Sequence, residues 1–298
     1  MGDRTQIIFT GGGIRVVVSC PDLTPKVSGV DEEQKLGIHW GFDIKKPCPI
    51  ISMHTLDVGY DLNLKDHLVV DNALEEKAIE VYHDENYKSR RWLFPSYNFT
   101  VSVIWSPFLT QAAIFEDING VSTSEIELHL DKLDKNWTEQ YKSLDYMIIA
   151  AGKWFIKTAI YYEKDTILGC HYCPKRNLTE LGFNFAYRKV IRNVFDYIIS
   201  SNHKGMIFYR TTTPDHFEEL DEFEKASAKA SEKRVNLKLL DVTPLSLLRP
   251  DGHPGPYRFF QPFAKDKNAT IINDCLHWCL PGPIDSWNDL LMEMVVNG

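Results

Sequence analysis

Tyr146-Met147-Ile148-Ile149-Ala150 is a short apolar run closed by Gly152, too short for a buried helix and bounded as a buried strand is. Gly205-Met-Ile-Phe-Tyr209 and Leu237-Lys-Leu-Leu240 repeat the type, and Val101-Ser-Val-Ile-Trp105 alternates like a strand. Helical patterns lie between and after them: Phe185 to Ser200, with apolar residues three and four apart, then Asp215 to Lys233 and Asp285 to Val296. Strands alternating with helices predict an α/β layered domain with a mostly parallel sheet. In such a domain the functional residues gather on the loops leaving the carboxyl ends of the strands. Residues 1–77 read differently, with Gly11 to Gly13, then Pro21, Pro25, Pro47 and Pro49 and only weak periodicity, and no fold is assigned to them. The glycine triplet follows Ile7-Ile8-Phe9 without the Gly-Lys-Ser/Thr of a phosphate loop, so it reads as a turn.

With 298 residues, 44% hydrophobic and 25% charged, the chain has the composition of a globular protein able to bury a core. A formal net charge of −8 offers no overall positive field to concentrate nucleic acid, and no nucleic-acid partner is expected. The longest apolar candidate, Tyr146 to Ile156, is interrupted by Lys153, so no membrane span is expected. Gly11 to Gly13 and Arg15 likewise break any secretory signal. Six cysteines (Cys20, Cys48, Cys170, Cys173, Cys275, Cys279) and four sequons, at Asn98, Asn136, Asn177 and Asn268, point to an oxidising, glycosylating compartment.

The segment with most chemistry is Asn273-Asp-Cys-Leu-His-Trp-Cys-Leu-Pro-Gly-Pro-Ile-Asp-Ser-Trp-Asn288. Asp274 and His277 stand three apart, which in a helical turn puts a carboxylate beside one imidazole nitrogen. That is two-thirds of a triad: the aspartate sets the tautomer, and the other nitrogen takes a proton from a nucleophile on another loop. A surface aspartate beside a core-edge histidine is the plainer account of the same spacing. Gly152-Lys153-Trp154 follows a strand, where a backbone N–H or the lysine would face a developing oxyanion, or where the glycine simply ends the strand. Leu248 to Arg258, rich in proline and glycine, is a stiff loop holding Arg249, Asp251, His253 and Arg258 together. Tyr97, Trp92, Trp105, Trp154, Trp278 and Trp287 offer stacking faces for a sugar ring or, equally, core packing. Cys170-x-x-Cys173 and Cys275-x-x-x-Cys279 also suit zinc, with four thiolates or three plus His277. In an oxidising compartment the pairs become disulfides instead, and no metal is expected.

These residues resemble the plant trichome-birefringence-like polysaccharide O-acetyltransferases. Asp274 to Asn288 is similar to that family's C-terminal Asp-x-x-His signature, and Phe94 to Leu109, Phe208 to Phe217 and Leu245 to Arg258 match in the same order. The resemblance covers residues 78–298, which it marks as the PC-esterase domain, and leaves 1–77 as a divergent segment. It implies an SGNH-hydrolase-like α/β/α sandwich, a Golgi lumen location, and acetylation of xyloglucan or xylan backbone hydroxyls, the cell-wall polysaccharide being the acceptor. The implied mechanism is double displacement with no bound cofactor. An acetyl donor such as acetyl-CoA is co-substrate, His277 is general base and Asp274 its orienter. Tyr97, Asn98, Gly152, Lys153, Trp154, Arg249, Asp251, His253, Arg258 and Trp278 are the substrate-binding candidates.

The chain departs from the family pattern at three places. No Gly-Asp-Ser nucleophile motif occurs, since Gly2-Asp3 is followed by Arg4. The insert that family members carry after Thr211 to Phe217 is absent, Glu218 running straight into a helical pattern. Lys153 stands where many members have histidine. The expectation is therefore a truncated or impaired transferase without the usual membrane anchor, or a non-catalytic relative that binds glycan or a partner. Ser19, Ser96, Ser102 and Ser106 are conceivable substitute nucleophiles, none singled out by a motif.

Overall fold

The computed structural model describes residues 5–10, 50–51, 78–95, 99–115, 123–211, 219–258, 261–271, 274, 277–279 and 282–297. Their elements are β1 (Thr5–Thr10), β2 (Ile50–Ile51), β3 (Ile79–His83), β4 (Arg90–Phe94), β5 (Phe99–Ile104), β6 (Thr110–Ala113), β7 (Ile126–Leu133), α1 (Lys135–Thr138), β8 (Tyr146–Ile149), β9 (Ala159–Glu163), β10 (Thr166–His171), α2 (Gly182–Ser200), β11 (Met206–Arg210), α3 (Glu219–Glu232), β12 (Leu237–Leu240), α4 (Thr243–Leu247), β13 (Trp278–Cys279) and α5 (Pro283–Val296). They fall into two compact units, one of residues 5–10 and 78–248, the other of 50–51 and 249–297. The division read from the sequence lies between residues 77 and 78; among the described residues the chain divides after Leu248.

The first unit holds a seven-stranded sheet in the order β12-β11-β8-β1-β5-β4-β3. Its five strands from β12 to β5 run parallel, and β4 and β3 extend it antiparallel. The four apolar runs of the sequence are β5, β8, β11 and β12, and the mostly parallel α/β class is the one observed. Met147, Ile148 and Ile149 of β8 are all buried, as expected of an inner parallel strand covered on both faces. β1 was not legible as a strand: Thr5–Thr10 pairs with β5 on one side and β8 on the other, so the first segment of the chain fills the middle of the sheet. A second sheet, β10-β9-β7-β6, joins β7 and β9 in parallel and its other pairs antiparallel.

The periodicity of α2 becomes its buried stripe: Ala186, Tyr187, Val190, Ile191, Val194, Phe195, Ile198 and Ile199 face the core with Trp137, Tyr141, Phe155, Tyr209 and Phe223. Tyr187 and Tyr209 satisfy their buried hydroxyls against each other at 2.6 Å. The acidic and lysine-rich stretch becomes α3, whose Glu222 carries a charge into the α2 interface. There it meets Arg192 twice at 3.1 Å and Arg188 at 3.4 Å. Arg192 holds the Glu222 carboxyl below the usual carboxylate range against the opposing effect of burial.

In the second unit the two-residue strands β2 and β13 pair antiparallel, and α5 follows. Pro283 opens α5, and the Asp285 carboxylate turns back to accept the Gly282 backbone N–H at 2.7 Å.

Candidate active site

In the second unit the Asp-x-x-His spacing closes into a pair. His277 Nδ1 lies 2.6 Å from Asp274 Oδ2; the carboxylate accepts, so Nδ1 carries the proton. The His277 backbone N–H donates to Asp274 Oδ1 at 3.0 Å, so one carboxylate holds both ring and main chain of the residue three positions on. Both residues are buried, Asp274 at 7% and His277 at 6% exposure, which strengthens the pair relative to one in water.

The stiff proline and glycine loop supports the pair through its backbone. Gly255 and Asp274 exchange two main-chain hydrogen bonds, at 3.0 and 2.9 Å. Gly255 takes φ +53°, a left-handed conformation that suits glycine. His253 donates from Nδ1 to the His277 carbonyl at 2.7 Å and lies over the Trp278 ring at 3.9 Å between centroids. Gly252 has no room for a side chain: an added Cβ would sit 2.6 Å from Pro283 Cγ and 3.0 Å from Trp278 Cε3. The sequence had marked His253 for its place in a polar loop; its observed partner is the dyad's own main chain.

The remaining candidates distribute unevenly. Arg249 and Asp251 form a two-point ion pair at 2.8 and 2.9 Å, so their charges answer each other, and Arg249 holds the Asp251 carboxyl below its ordinary range. Trp278 is fully buried between His253, at 3.9 Å, and Trp287, at 5.4 Å, and as packed presents no face to a sugar. The side chain of Arg258, and Tyr97 and Asn98, lie outside the described residues, as do Ser19 and Ser96.

Gly152, Lys153 and Trp154 belong to the first unit, where they leave the carboxyl end of β8. Gly152 has φ 149°, a region L side chains rarely adopt, and lets the strand turn at once into the tight turn Lys153–Ile156. Lys153 and Trp154 are both buried, and Lys157 Nζ lies over the Trp154 ring at 3.8 Å. Trp154 meets Trp105, which leaves the end of β5, edge to face at 5.4 Å, and Phe108 at 5.9 Å. Of the tryptophans offered as stacking faces, Trp92, Trp154, Trp278 and Trp287 are buried in packing and Trp105 is half-buried. Ser102 accepts from Arg91 at 2.9 Å, and the fully buried Ser106 donates to Asp134 at 2.6 Å. The sulfurs of Cys170 and Cys173 lie at disulfide distance, with Cα atoms 6.1 Å apart and the Glu180 carboxylate alongside.

Residues 69–231 and 219–294 match the PC-Esterase family, the GDSL/SGNH-like acyl-esterases found in Pmr5 and Cas1p. The chain belongs to this family. Its SGNH-like α/β class is the one expected, and the two matched segments overlap over α3. Within the family it is a trichome birefringence-like member. It is 54% identical over 257 residues to protein trichome birefringence-like 23 of Arabidopsis thaliana, covering 75% of this chain and 60% of that protein. To trichome birefringence-like 25 of the same plant it is 50% identical over 261 residues, covering 74% and 57%. Xyloglucan O-acetyltransferase 1 of Populus trichocarpa is 38% identical over 253 residues, covering 72% and 58%. The chain spans about three-fifths of the length of these curated relatives.

Proposed function

We propose that this PC-esterase chain serves polysaccharide O-acetylation, with a cell-wall xyloglucan or xylan as acceptor and an acetyl donor such as acetyl-CoA as co-substrate. The observation that carries the reading is the buried Asp274–His277 pair. With Nδ1 engaged by Asp274, Nε2 is the nitrogen placed to take the proton of an attacking hydroxyl as its oxygen bonds to the acetyl carbon. The same proton then passes to the leaving group as the acyl bond breaks. Asp274 stabilises the imidazolium between the two steps. Transfer through an acetyl-enzyme requires a hydroxyl nucleophile that the sequence does not mark with Gly-Asp-Ser. A Golgi lumen setting accords with exposed sequon asparagines at Asn136, Asn177 and Asn268 and with the Cys170–Cys173 approach.

The test is intact-mass and peptide mass spectrometry after incubation with an activated acetyl ester, with and without xyloglucan and xylan oligosaccharides, beside His277→Ala. Acetyl appearing on one hydroxyl residue, passing to the sugar and vanishing in the variant is the expected result. Unmodified protein and unacetylated sugar would remove the transferase reading and leave a binding role.

A further inference from the structure

One cavity, of about 710 Å³, is lined by Leu144, Asp145, His203, Gly205 and Met206 at the amino ends of β8 and β11. Ligands of open α/β sheets bind at the opposite, carboxyl ends, so its size does not make it a site. A second cavity of about 440 Å³ lies within the first unit on the correct side. It begins at Trp105, directly after β5, and continues along β6 and β7 past Gln111 and His129 to Asp134 and Asn136. Its volume falls in the range of about 300–1,000 Å³ typical of small-ligand pockets.

The lining combines one aromatic wall with polar groups. Trp105 is half-buried, with Lys88 Nζ over its ring at 5.5 Å, where the other tryptophans near it are buried. Its edge-to-face contact with Trp154 ties the cavity to the turn that leaves β8. Asp134 accepts from the Asn136 backbone N–H at 2.9 Å and from Ser106 at 2.6 Å. A carboxylate offers about four lone-pair sites, so these two bonds orient it and leave it able to accept more. His129 is stacked on Tyr162 at 5.1 Å, and its Nδ1 faces the Asp165 carboxylate at 3.8 Å. Thr110 Oγ1 bonds the His129 and Lys132 carbonyls and steadies the strand that carries this ring. An aromatic ring, an amide and a carboxylate around a hollow of mixed polarity form the donor and acceptor set that meets a ring with one apolar face and several equatorial hydroxyls.

We propose that this cavity is a subsite for one pyranose unit of the acceptor glycan, stacked on Trp105 and hydrogen-bonded by Gln111 and Asp134. The acceptor's identity rests on the acetyl-transfer reading; the subsite does not require turnover. The test is binding of a xyloglucan heptasaccharide and of xylohexaose to the full chain by titration calorimetry and saturation-transfer NMR, with acetyl transfer followed in parallel. All proteins carry Asn136→Gln, which keeps an amide at the rim and removes a glycan that would cover it. Trp105→Leu and Gln111→Ala are each expected to weaken binding of one oligosaccharide at least tenfold and, where transfer occurs, to raise KM with kcat little changed. Thermal melting separates misfolding from lost contact, and Gln111→Glu, which keeps the acceptor oxygen, is expected to recover part of the affinity. Affinity that is lost in both variants while no acetyl moves would sustain the subsite and remove the transferase reading. Acetyl transfer with Kd and KM unchanged in both variants would overturn the subsite and leave that reading intact.

Discussion

The two units hold themselves together in different ways. In the first, regular elements bury an apolar stripe: α2 sets eight buried residues against the core, and Trp137, Phe155 and Phe223 pack with them. In the second, the described part between residues 249 and 282 is mostly turns, and its order comes from polar bonds of specific geometry. The Asp274 carboxylate grips His277, Gly255 pairs with Asp274, and His253 reaches the His277 carbonyl. A core tolerates shape errors at a graded cost, whereas a proton-transfer pair tolerates little displacement. Stability is therefore expected to track the first region and chemistry the second.

The sharpest separation comes from His277→Ala. Loss of the base is expected to lower acetyl transfer by about 10⁴-fold or more per folded molecule, because triad members act as a unit. A variant that loses activity only in proportion to its folded fraction would erase the distinction. Trp137→Ala sits at the opposite pole: it removes a fully buried indole whose Nε1 donates to the Leu109 carbonyl at 2.9 Å, and is expected to cost about 3–5 kcal/mol in urea unfolding. Folded Trp137→Ala protein selected at low denaturant should retain the acetyl-transfer rate.

His253 tests whether the polar loop positions the pair. His253→Ala is expected to slow transfer by about 10- to 100-fold, the range seen when a supporting hydrogen bond to an active group is lost. His253→Asn, whose amide can donate from a similar place, should restore part of the rate without changing acceptor KM. Equal rates in the alanine and asparagine variants would show that the ring matters for packing on Trp278 alone.

Glu222 gives the smallest effect and probes the first unit by pH. Its carboxyl is held below the ordinary 4.5 chiefly by Arg192, so its contribution is present above that value and is lost as pH falls through the lower, folded value. Glu222→Gln is expected to cost about 1 kcal/mol at neutral pH and to flatten the loss of stability on acidification below about pH 4.5. Parallel stability curves for the two proteins would mean that the cluster contributes nothing specific. Acetyl transfer at neutral pH should be unaffected.

Much of this was legible in the residues. Apolar runs of four or five and the three-and-four spacing of α2 report local geometry, and β5, β8, β11, β12 and the helices fall where those periods put them. Asp274 and His277 were legible for the same reason, three positions being within reach of a single turn. β1 was not, because six residues before a glycine triplet carry too little period, and their place is set by pairing with strands some ninety and one hundred and forty positions away. Nor was the division of the tryptophans: an indole reads the same in sequence whether it fills a core, as Trp278 does, or edges a cavity, as Trp105 does.

The sequence by itself thus determined the α/β class, the family and the dyad, since each rests on patterns that neighbouring residues complete. Tertiary structure alone decided that β1 occupies the middle of the sheet, that Arg249 and Asp251 neutralise one another, that His253 serves the His277 carbonyl, and that Trp105 borders open space. Burial and long-range hydrogen bonding depend on which distant segments arrive at a residue, and a chain's local order carries no record of that arrival.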